Sequence, residues 1–184
     1  MINVKKIEKE LTSLPEGWIG LLETSTEKAM KVNLATLKIL TDKNYNGIVL
    51  SASRPYSNLV SLYKNNDINI KKIWVIDCIS KSQGSKLGED DNVLYLENVS
   101  ALTNISISIN ECIKKIKGKK FIFIDSITTM LIYNKPSIYA KFIHNILTRM
   151  RITGISDLLI CLEEGTDKEV RAEIAQLCDK VIRI

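Results

Sequence analysis

The stretch FIFIDSITTMLIYNKPSIYAKFIHNILTRMRITGISDLLICLEEG, residues 121–165, holds the pattern that decides the fold. It opens with a short apolar strand that ends in Asp125, continues through a segment with apolar residues at three and four spacing, and returns to an apolar strand over 157–162. Buried strands that alternate with amphipathic helices are typical of a parallel sheet covered on both faces. The stretch therefore predicts an α/β fold.

The same alternation extends over the rest of the chain. Helices with apolar stripes separate further predicted strands at Trp18 to Glu23, Ile48 to Ala52, Ile73 to Asp77, Val93 to Leu96 and, at a sheet edge, Val181 to Ile184. The predicted fold is a three-layer α/β domain with a mostly parallel sheet and helices on both faces.

Length and composition fit a single domain over residues 1–184, because 45% hydrophobic content allows a core that needs no disulfides. Residues 1–16 are predicted as a helix rather than a signal peptide, since charges are mixed through their amphipathic pattern. No apolar run approaches membrane-spanning length. We therefore expect a cytoplasmic protein that contacts no membrane.

Cysteine usage predicts reduced, buried thiols and no metal site. The four cysteines lie far apart without a CxxC pair, and His144 is the single histidine. The net charge of +5 is compatible with an anionic partner but too modest to require one.

Residues 80–92, SKSQGSKLGEDDN, are polar and predict an exposed loop. The loop follows Asp77 at the carboxyl end of a strand, where α/β sheets bind their ligands. An ordinary mobile connection and a lid or partner-binding loop are the two interpretations.

Two strands end alike, in Asp77-Cys-Ile-Ser and in Asp125-Ser-Ile-Thr, and the chain closes on LCDKVIRI. With the 121–165 stretch and the preceding LTNISISINECIKKI, these motifs resemble the C-terminal half of the KaiC/RadA-like ATPases. They resemble more closely an archaeal group of RecA-superfamily relatives in which the ATPase motifs are degenerate. The resemblance implies a RecA-like, P-loop-NTPase-like sheet with Asp125 and Ser126 at the position of the Mg²⁺-linked acid.

The first predicted strand is not followed by the phosphate-binding loop of that family. A P-loop reads G-x-x-x-x-G-K-[ST], and its glycines let backbone amides wrap the phosphates. This chain reads LETSTEKA over residues 22–29, so Lys28 alone matches, and Ala29 stands where a hydroxyl would hold Mg²⁺. We expect low phosphate affinity, no bound cofactor and no catalytic residue, with Mg-ATP as the alternative.

The residues in place of the phosphate-binding loop have the sequence pattern of a helix capping box. Thr24, Ser25, Thr26 and Glu27 have the spacing in which the first hydroxyl and the glutamate close the free amides of a helix start. With Glu23 close by, these carboxylates would substitute for a bound anion and repel a triphosphate.

Other strand ends supply the remaining candidates. Where KaiC-like ATPases carry a water-activating acid after the second strand, this chain has Arg54, either a surface residue or a cation for a carboxylate or phosphate. Asp77 and Glu163 are further candidate ligand or partner contacts. Asp125 is interpreted as a structural acceptor for Ser126 or Thr128, with a metal shared with Glu163 and Glu164 as the alternative.

Two clusters of basic residues are the candidate surfaces for binding nucleic acid. Lys141, His144, Thr148 and Arg151 share one helix face, and five lysines surround Gly118, without interleaved aromatic residues for base stacking.

We therefore predict a non-hydrolysing RecA/KaiC-like domain that acts as a binding, regulatory or signalling module, with a protein partner or self-association. A weakly active ATPase that uses Lys28 and Asp125, or a DNA-associated RadA-like paralogue, is the alternative.

Overall fold

In the computed structural model, which describes residues 2–184, seven strands form one sheet in which every neighbouring pair is parallel. The spatial order is β4-β3-β2-β5-β6-β1-β7. The strands are β1 (Ile19–Thr24), β2 (Asn46–Ser51), β3 (Ile73–Asp77), β4 (Val93–Tyr95), β5 (Lys120–Asp125), β6 (Ser156–Leu162) and β7 (Lys180–Arg183).

Within residues 2–184 there are seven α-helices, of which α1 precedes β1 and the other six lie between strands, and one 3₁₀ turn, Ile70–Lys72, comes before β3. The helices are α1 (Val4–Thr12), α2 (Thr26–Asp42), α3 (Tyr56–Asn65), α4 (Leu102–Lys115), α5 (Ile127–Tyr133), α6 (Pro136–Thr153) and α7 (Lys168–Gln176). Pro136 opens α6, and Gly154, in the left-handed region with φ 68°, ends it.

Two apolar layers enclose the sheet. Helices α1, α2 and α3 pack on one face, against side chains such as Trp18, Phe121 and Phe123. Helices α4 to α7 pack on the other face, against side chains such as Ile124 and Leu159. Because both faces are covered, the central strands are apolar throughout, as the sequence predicted.

The predicted strands are confirmed, with ends that differ by at most two residues, and β7 lies at the predicted edge. Ser51 at the end of β2 pairs in register with Asp77 on β3 and with Asp125 on β5. The two aspartates therefore lie at the same carboxyl-end edge, as expected.

Residues 81–91 are exposed, whereas Ser80 at the start of the predicted loop is buried. The cysteines are free; Cys78, Cys112 and Cys161 are buried and Cys178 is half-buried. Within residues 2–184, no helix combines the length and apolar character needed to cross a membrane.

Candidate functional site

The turn between β1 and α2 does not form the predicted capping box. Thr24 is the last residue of β1 and is fully buried, and its backbone oxygen accepts a hydrogen bond from Glu163 N at 3.0 Å. Ser25 is the N-cap, but only its backbone oxygen accepts, from Lys28 N at 3.1 Å and Ala29 N at 3.0 Å. Thr24 still pairs with Leu162 of β6, and its hydroxyl donates to the Ile184 backbone oxygen at 3.5 Å, so the hydroxyl does not cap α2.

Glu164 closes the start of α2 instead. Its carboxylate Oε2 accepts from the Thr26 backbone N at 2.9 Å and from Thr26 Oγ1 at 3.0 Å. These hydrogen bonds lower the pKa of Glu164, because they favour its charged form. An internal carboxylate thus lies on a free helix amide, as the sequence analysis expected, but it comes from the loop after β6 and not from Glu27.

Glu23 is also not at the helix start. The residue is buried, and its carboxylate lies 2.7 Å from Arg183 Nε and 3.7 Å from Arg171 Nε. Alternation along β1 turns this side chain to the face opposite α2, so its charge is balanced by arginines there. The part predicted for Glu23 in repelling a phosphate was therefore wrong.

Asp125 ends β5 beneath side chains from α2 and α3. Burial raises the pKa of Asp125 to about 6, against the opposing effects of the nearby Asn33 amide and the Arg54 guanidinium. Asp125 in turn adds to the raised pKa of Tyr63, which burial mainly causes. Asn33 Oδ1 is buried and has no hydrogen-bond partner within residues 2–184. The Asp125 site is therefore a half-buried carboxyl group beside the Asn33 amide, with one guanidinium close by.

Arg54 is placed by the turn that follows β2. Ser51 Oγ donates to the Arg54 backbone oxygen at 2.7 Å and accepts from Arg54 N at 3.3 Å. The side chain is half-buried, with Nη1 3.4 Å from Asn58 Oδ1. Arg54 therefore combines its surface position with an electrostatic interaction with Asp125, which the sequence analysis did not anticipate.

Asp77 is a structural residue. It is fully buried, and its carboxylate accepts from Tyr56 N at 2.7 Å, Ile79 N at 2.8 Å, Ser80 N at 2.9 Å and Ser80 Oγ at 2.6 Å. It joins the start of α3 to the turn after β3. This role replaces the ligand or partner contact predicted from the sequence.

The hydroxyls after Asp125 bond elsewhere. Ser126 caps α5, since its Oγ accepts from Thr129 N at 3.2 Å. Thr128 Oγ1 accepts from Leu162 N at 3.0 Å and lies 2.6 Å from Thr166 Oγ1. The expected hydrogen bonds to Asp125 are therefore wrong.

Asp167, and not Thr166, caps α7, although Thr166-x-x-Glu169 has the spacing of a capping box. Asp167 Oδ1 accepts from Glu169 N at 2.9 Å and Val170 N at 3.1 Å. Thr166 is buried against Thr128 one residue earlier, so its hydroxyl is already engaged.

Within the described residues, Glu163 and Lys28 form no hydrogen bond or ion pair with the Asp125 site. Glu163 is exposed, and Lys28 is half-buried on the first turn of α2. Within residues 2–184, no group of three histidine, cysteine or acidic side chains could hold a metal ion. The shared metal site considered for Asp125, Glu163 and Glu164 is therefore not formed.

Part of the basic surface is paired within the chain. Lys119 Nζ lies 2.6 Å from Glu16 and 5.9 Å from the Tyr45 ring centroid, and Arg151 Nη1 lies 2.9 Å from Asp179. The predicted stripe on α6 is exposed at Lys141, His144, Thr148 and Arg151.

The comparisons with known proteins agree with this architecture. The profile of the KaiC ATPase family matches residues 29–184, so the match begins directly after Lys28. Among curated proteins, none matches the sequence.

Several solved structures share the fold. The uncharacterized protein PH0321 of Pyrococcus horikoshii, in complex with an unknown peptide, has a TM-score of 0.67 at 12% identity, over 97% of this chain and 82% of that chain. The KaiC-like protein PH0186 of P. horikoshii has a TM-score of 0.65 at 15% identity, over 92% and 72%. The flagellar accessory protein FlaH of Methanocaldococcus jannaschii has a TM-score of 0.64 at 12% identity, over 100% and 78%.

Proposed function

The chain belongs to the KaiC ATPase family, and from that premise we propose that it is a KaiC-like domain that does not hydrolyse ATP and acts by binding a protein partner. The observation that carries the proposal is the Glu164 carboxylate on the Thr26 amide, 2.9 Å away. In a nucleotide hydrolase, amides at this helix start face the phosphates.

Two further features support weak nucleotide binding. Residues 22–29 contain no glycine, so the backbone has no special freedom to wrap a phosphate chain. A triphosphate would also have to displace Glu164, a group of the same charge that is already hydrogen-bonded. Because both effects act against an anion, ATP would lose favourable contacts and gain repulsion.

The surroundings of Asp125 support the proposal that the domain carries out no metal-dependent chemistry. A Mg²⁺ ion needs several oxygen ligands, with carboxylates among them. The Arg54 guanidinium near Asp125 supplies a permanent positive charge to the same carboxyl group. We infer that Arg54 stands in for the metal charge, as Glu164 stands in for the phosphate charge.

Partner binding is the remaining part of the proposal. The KaiC-type sheet without a phosphate loop still offers a rigid surface, and PH0321, which shares the fold, is in complex with an unknown peptide. A regulatory or signalling role in the cytoplasm stays a prediction from the sequence.

The proposal is tested by thermal unfolding and by a phosphate-release assay, each with and without millimolar Mg-ATP. A ligand that binds only the folded state stabilises it by about 2.7 kcal/mol at 100 times its dissociation constant. We expect no turnover and no thermal shift for the wild-type protein.

Two matched variants show whether the carboxylate is responsible. Glu164→Gln removes the charge that lies on the α2 amide, whereas Glu163→Gln removes an adjacent charge from an exposed side chain. We expect any gain of nucleotide-induced stability in Glu164→Gln alone. Turnover in the wild-type protein that disappears in Lys28→Ala would instead support the weakly active ATPase.

A further inference from the structure

The polar loop between β3 and β4, residues 80–92, borders a cavity. The cavity has a volume of about 330 Å³ and is lined by this loop, by the first turns of α3 and by Tyr95 at the end of β4. In parallel α/β sheets, ligands bind outside the carboxyl ends of the strands, which is where the chain leaves β3 and enters this loop. We call this space the loop cavity.

Two tyrosine hydroxyls anchor the loop. The Gly88 backbone N donates to Tyr95 Oη at 3.0 Å, and Tyr56 Oη donates to Asn92 Oδ1 at 3.0 Å. The two tyrosine rings lie edge to face, with their centroids 6.4 Å apart. A site that is held in place before binding loses less conformational entropy when a ligand binds.

Much of the lining of the loop cavity is apolar. The rings of Tyr56 and Tyr95 and the aliphatic side chains of Val60 and Leu87 contribute to it. Leu87 is 38% exposed, so most of its surface is covered although it belongs to a polar loop. A volume of about 330 Å³ is near the lower end of the range for ligand pockets, roughly 300–1,000 Å³, which favours a small ligand with an apolar part.

Two oppositely charged side chains, Lys86 and Asp90, line the same cavity. Within residues 2–184, neither forms an ion pair with the other or with a third side chain. Asp90 lies close to Tyr56, since its charge adds to the effect of burial in raising the pKa of that tyrosine to about 12. An ammonium and a carboxylate that are both unpaired can each bind a group of the opposite charge.

We propose that the loop cavity binds a free α-amino acid with an apolar side chain. Lys86 binds the carboxylate of the ligand, Asp90 binds its ammonium group, and the apolar lining covers its side chain. A simple anion would be repelled by Asp90 and a simple cation by Lys86, whereas a zwitterion satisfies both charges. The loop thereby supplies both charged contacts.

The inference goes beyond the proposed function and does not rest on it. The loop cavity contains neither residues 24–28 nor Glu164. In the sheet, β2, β5 and β6 separate β3 and β4 from β1. Amino-acid binding and the absence of ATP turnover can therefore be tested, and can fail, separately.

Isothermal titration calorimetry of the full chain tests the class of ligand. L-Leucine and L-phenylalanine are the probes, and we expect saturable binding of at least one of them. Three analogues each lack one feature: N-acetyl-L-leucine has no ammonium group, L-leucinamide has no carboxylate, and glycine has no apolar side chain. Each should bind about tenfold more weakly or worse, because it leaves a group of the cavity without a partner.

Matched variants locate the site. Asp90→Asn removes a charge that lines the loop cavity, whereas Asp91→Asn removes the adjacent charge, which lies outside the lining. We expect Asp90→Asn and Lys86→Gln to weaken binding of the amino acid about tenfold and Asp91→Asn to have little effect. All three side chains are exposed, so the variants should keep the wild-type unfolding temperature.

Hydrogen–deuterium exchange gives a second readout. The amino acid should slow amide exchange in residues 86–90 of the wild-type protein and leave α7, on the other face of the sheet, unchanged. The proposal is overturned if neither leucine nor phenylalanine binds at millimolar concentration, or if Asp90→Asn and Asp91→Asn weaken binding equally. Protection that appears elsewhere and not in residues 86–90 would overturn it as well.

Discussion

The carboxyl ends of β3 and β5 have nearly the same sequence and different chemistry. Both strands end in an aspartate that pairs in register with Ser51 of β2. Asp77 accepts four hydrogen bonds, three of them from backbone amides. Asp125 instead faces the side chains of Asn33 and Arg54. The residues that follow and cover each strand, and not the strand itself, decide what each carboxylate does.

The difference begins directly after each aspartate. The chain turns after Asp77 and presents the amides of Ile79 and Ser80 to its carboxylate. After Asp125 the chain enters α5, and Ser126 caps that helix with its own hydroxyl. A carboxylate that backbone amides saturate is fixed in place, whereas one that side chains surround can respond to pH and to substitution.

The largest effect is expected at Asp77. Asp77→Asn replaces two acceptor oxygens with one acceptor and one donor, so some of the four donors lose their partner in a fully buried position. We expect a loss of roughly 3 kcal/mol or more in the free energy of unfolding, measured by urea denaturation at pH 7. A variant as stable as the wild type would mean that Asp77 is not the structural counterpart of Asp125.

The positions of the strands, the place of β7 at the edge of the sheet and the parallel direction of the strands could be predicted from the sequence. Apolar runs that alternate with amphipathic helices are compatible with few other sheet arrangements. The chain positions of Asp77 and Asp125 followed from the same runs. Their partners could not be predicted, since Tyr56 and Asn33 reach them only through the packing of α3 and α2.

At the start of α2, too, the partner of a helix amide depends on tertiary packing and could not be predicted from the sequence. The sequence pattern indicated a local cap from Thr24 and Glu27, whereas the structure uses Glu164, which lies far away in sequence. Only the strand order places β6 beside β1, with Leu162 in register with Thr24. Two residues further along, the loop reaches the helix start. The acidic pair after β6 was the available signal, but its interpretation required the strand order.

The second largest effect on the free energy of unfolding is expected at Asp125. Here the substitution should stabilise the protein at neutral pH, whereas Asp77→Asn destabilises it. Burial raises the pKa of Asp125 from 3.8 to about 6, so the folded protein keeps a proton that the unfolded chain releases between these values. This contribution to stability is therefore lost as the pH rises from about 4 to about 6. Asp125→Asn has no such proton, and we expect it to be more stable than the wild type at pH 7 by at most about 3 kcal/mol.

The check is a series of urea denaturations from pH 4 to pH 8 for both proteins. The difference between their stabilities should grow up to about pH 6 and then stay constant. Taking the difference removes the contribution of Asp157, whose pKa burial also raises. A difference that does not change with pH would show that Asp125 is not protonated in the folded protein at mildly acidic pH.

The smallest effect is expected at Glu164, and its dependence on pH runs the other way. Its hydrogen bonds with Thr26 lower its pKa, so the folded state favours the charged carboxylate. The stabilisation is present above the unfolded pKa and is lost as the pH falls through the lower, folded value. Glu164→Gln should therefore have a slightly lower unfolding temperature than Glu163→Gln at pH 7, and the two should converge in acid. If the two variants instead unfold at the same temperature at every pH, the Glu164 carboxylate does not stabilise the start of α2.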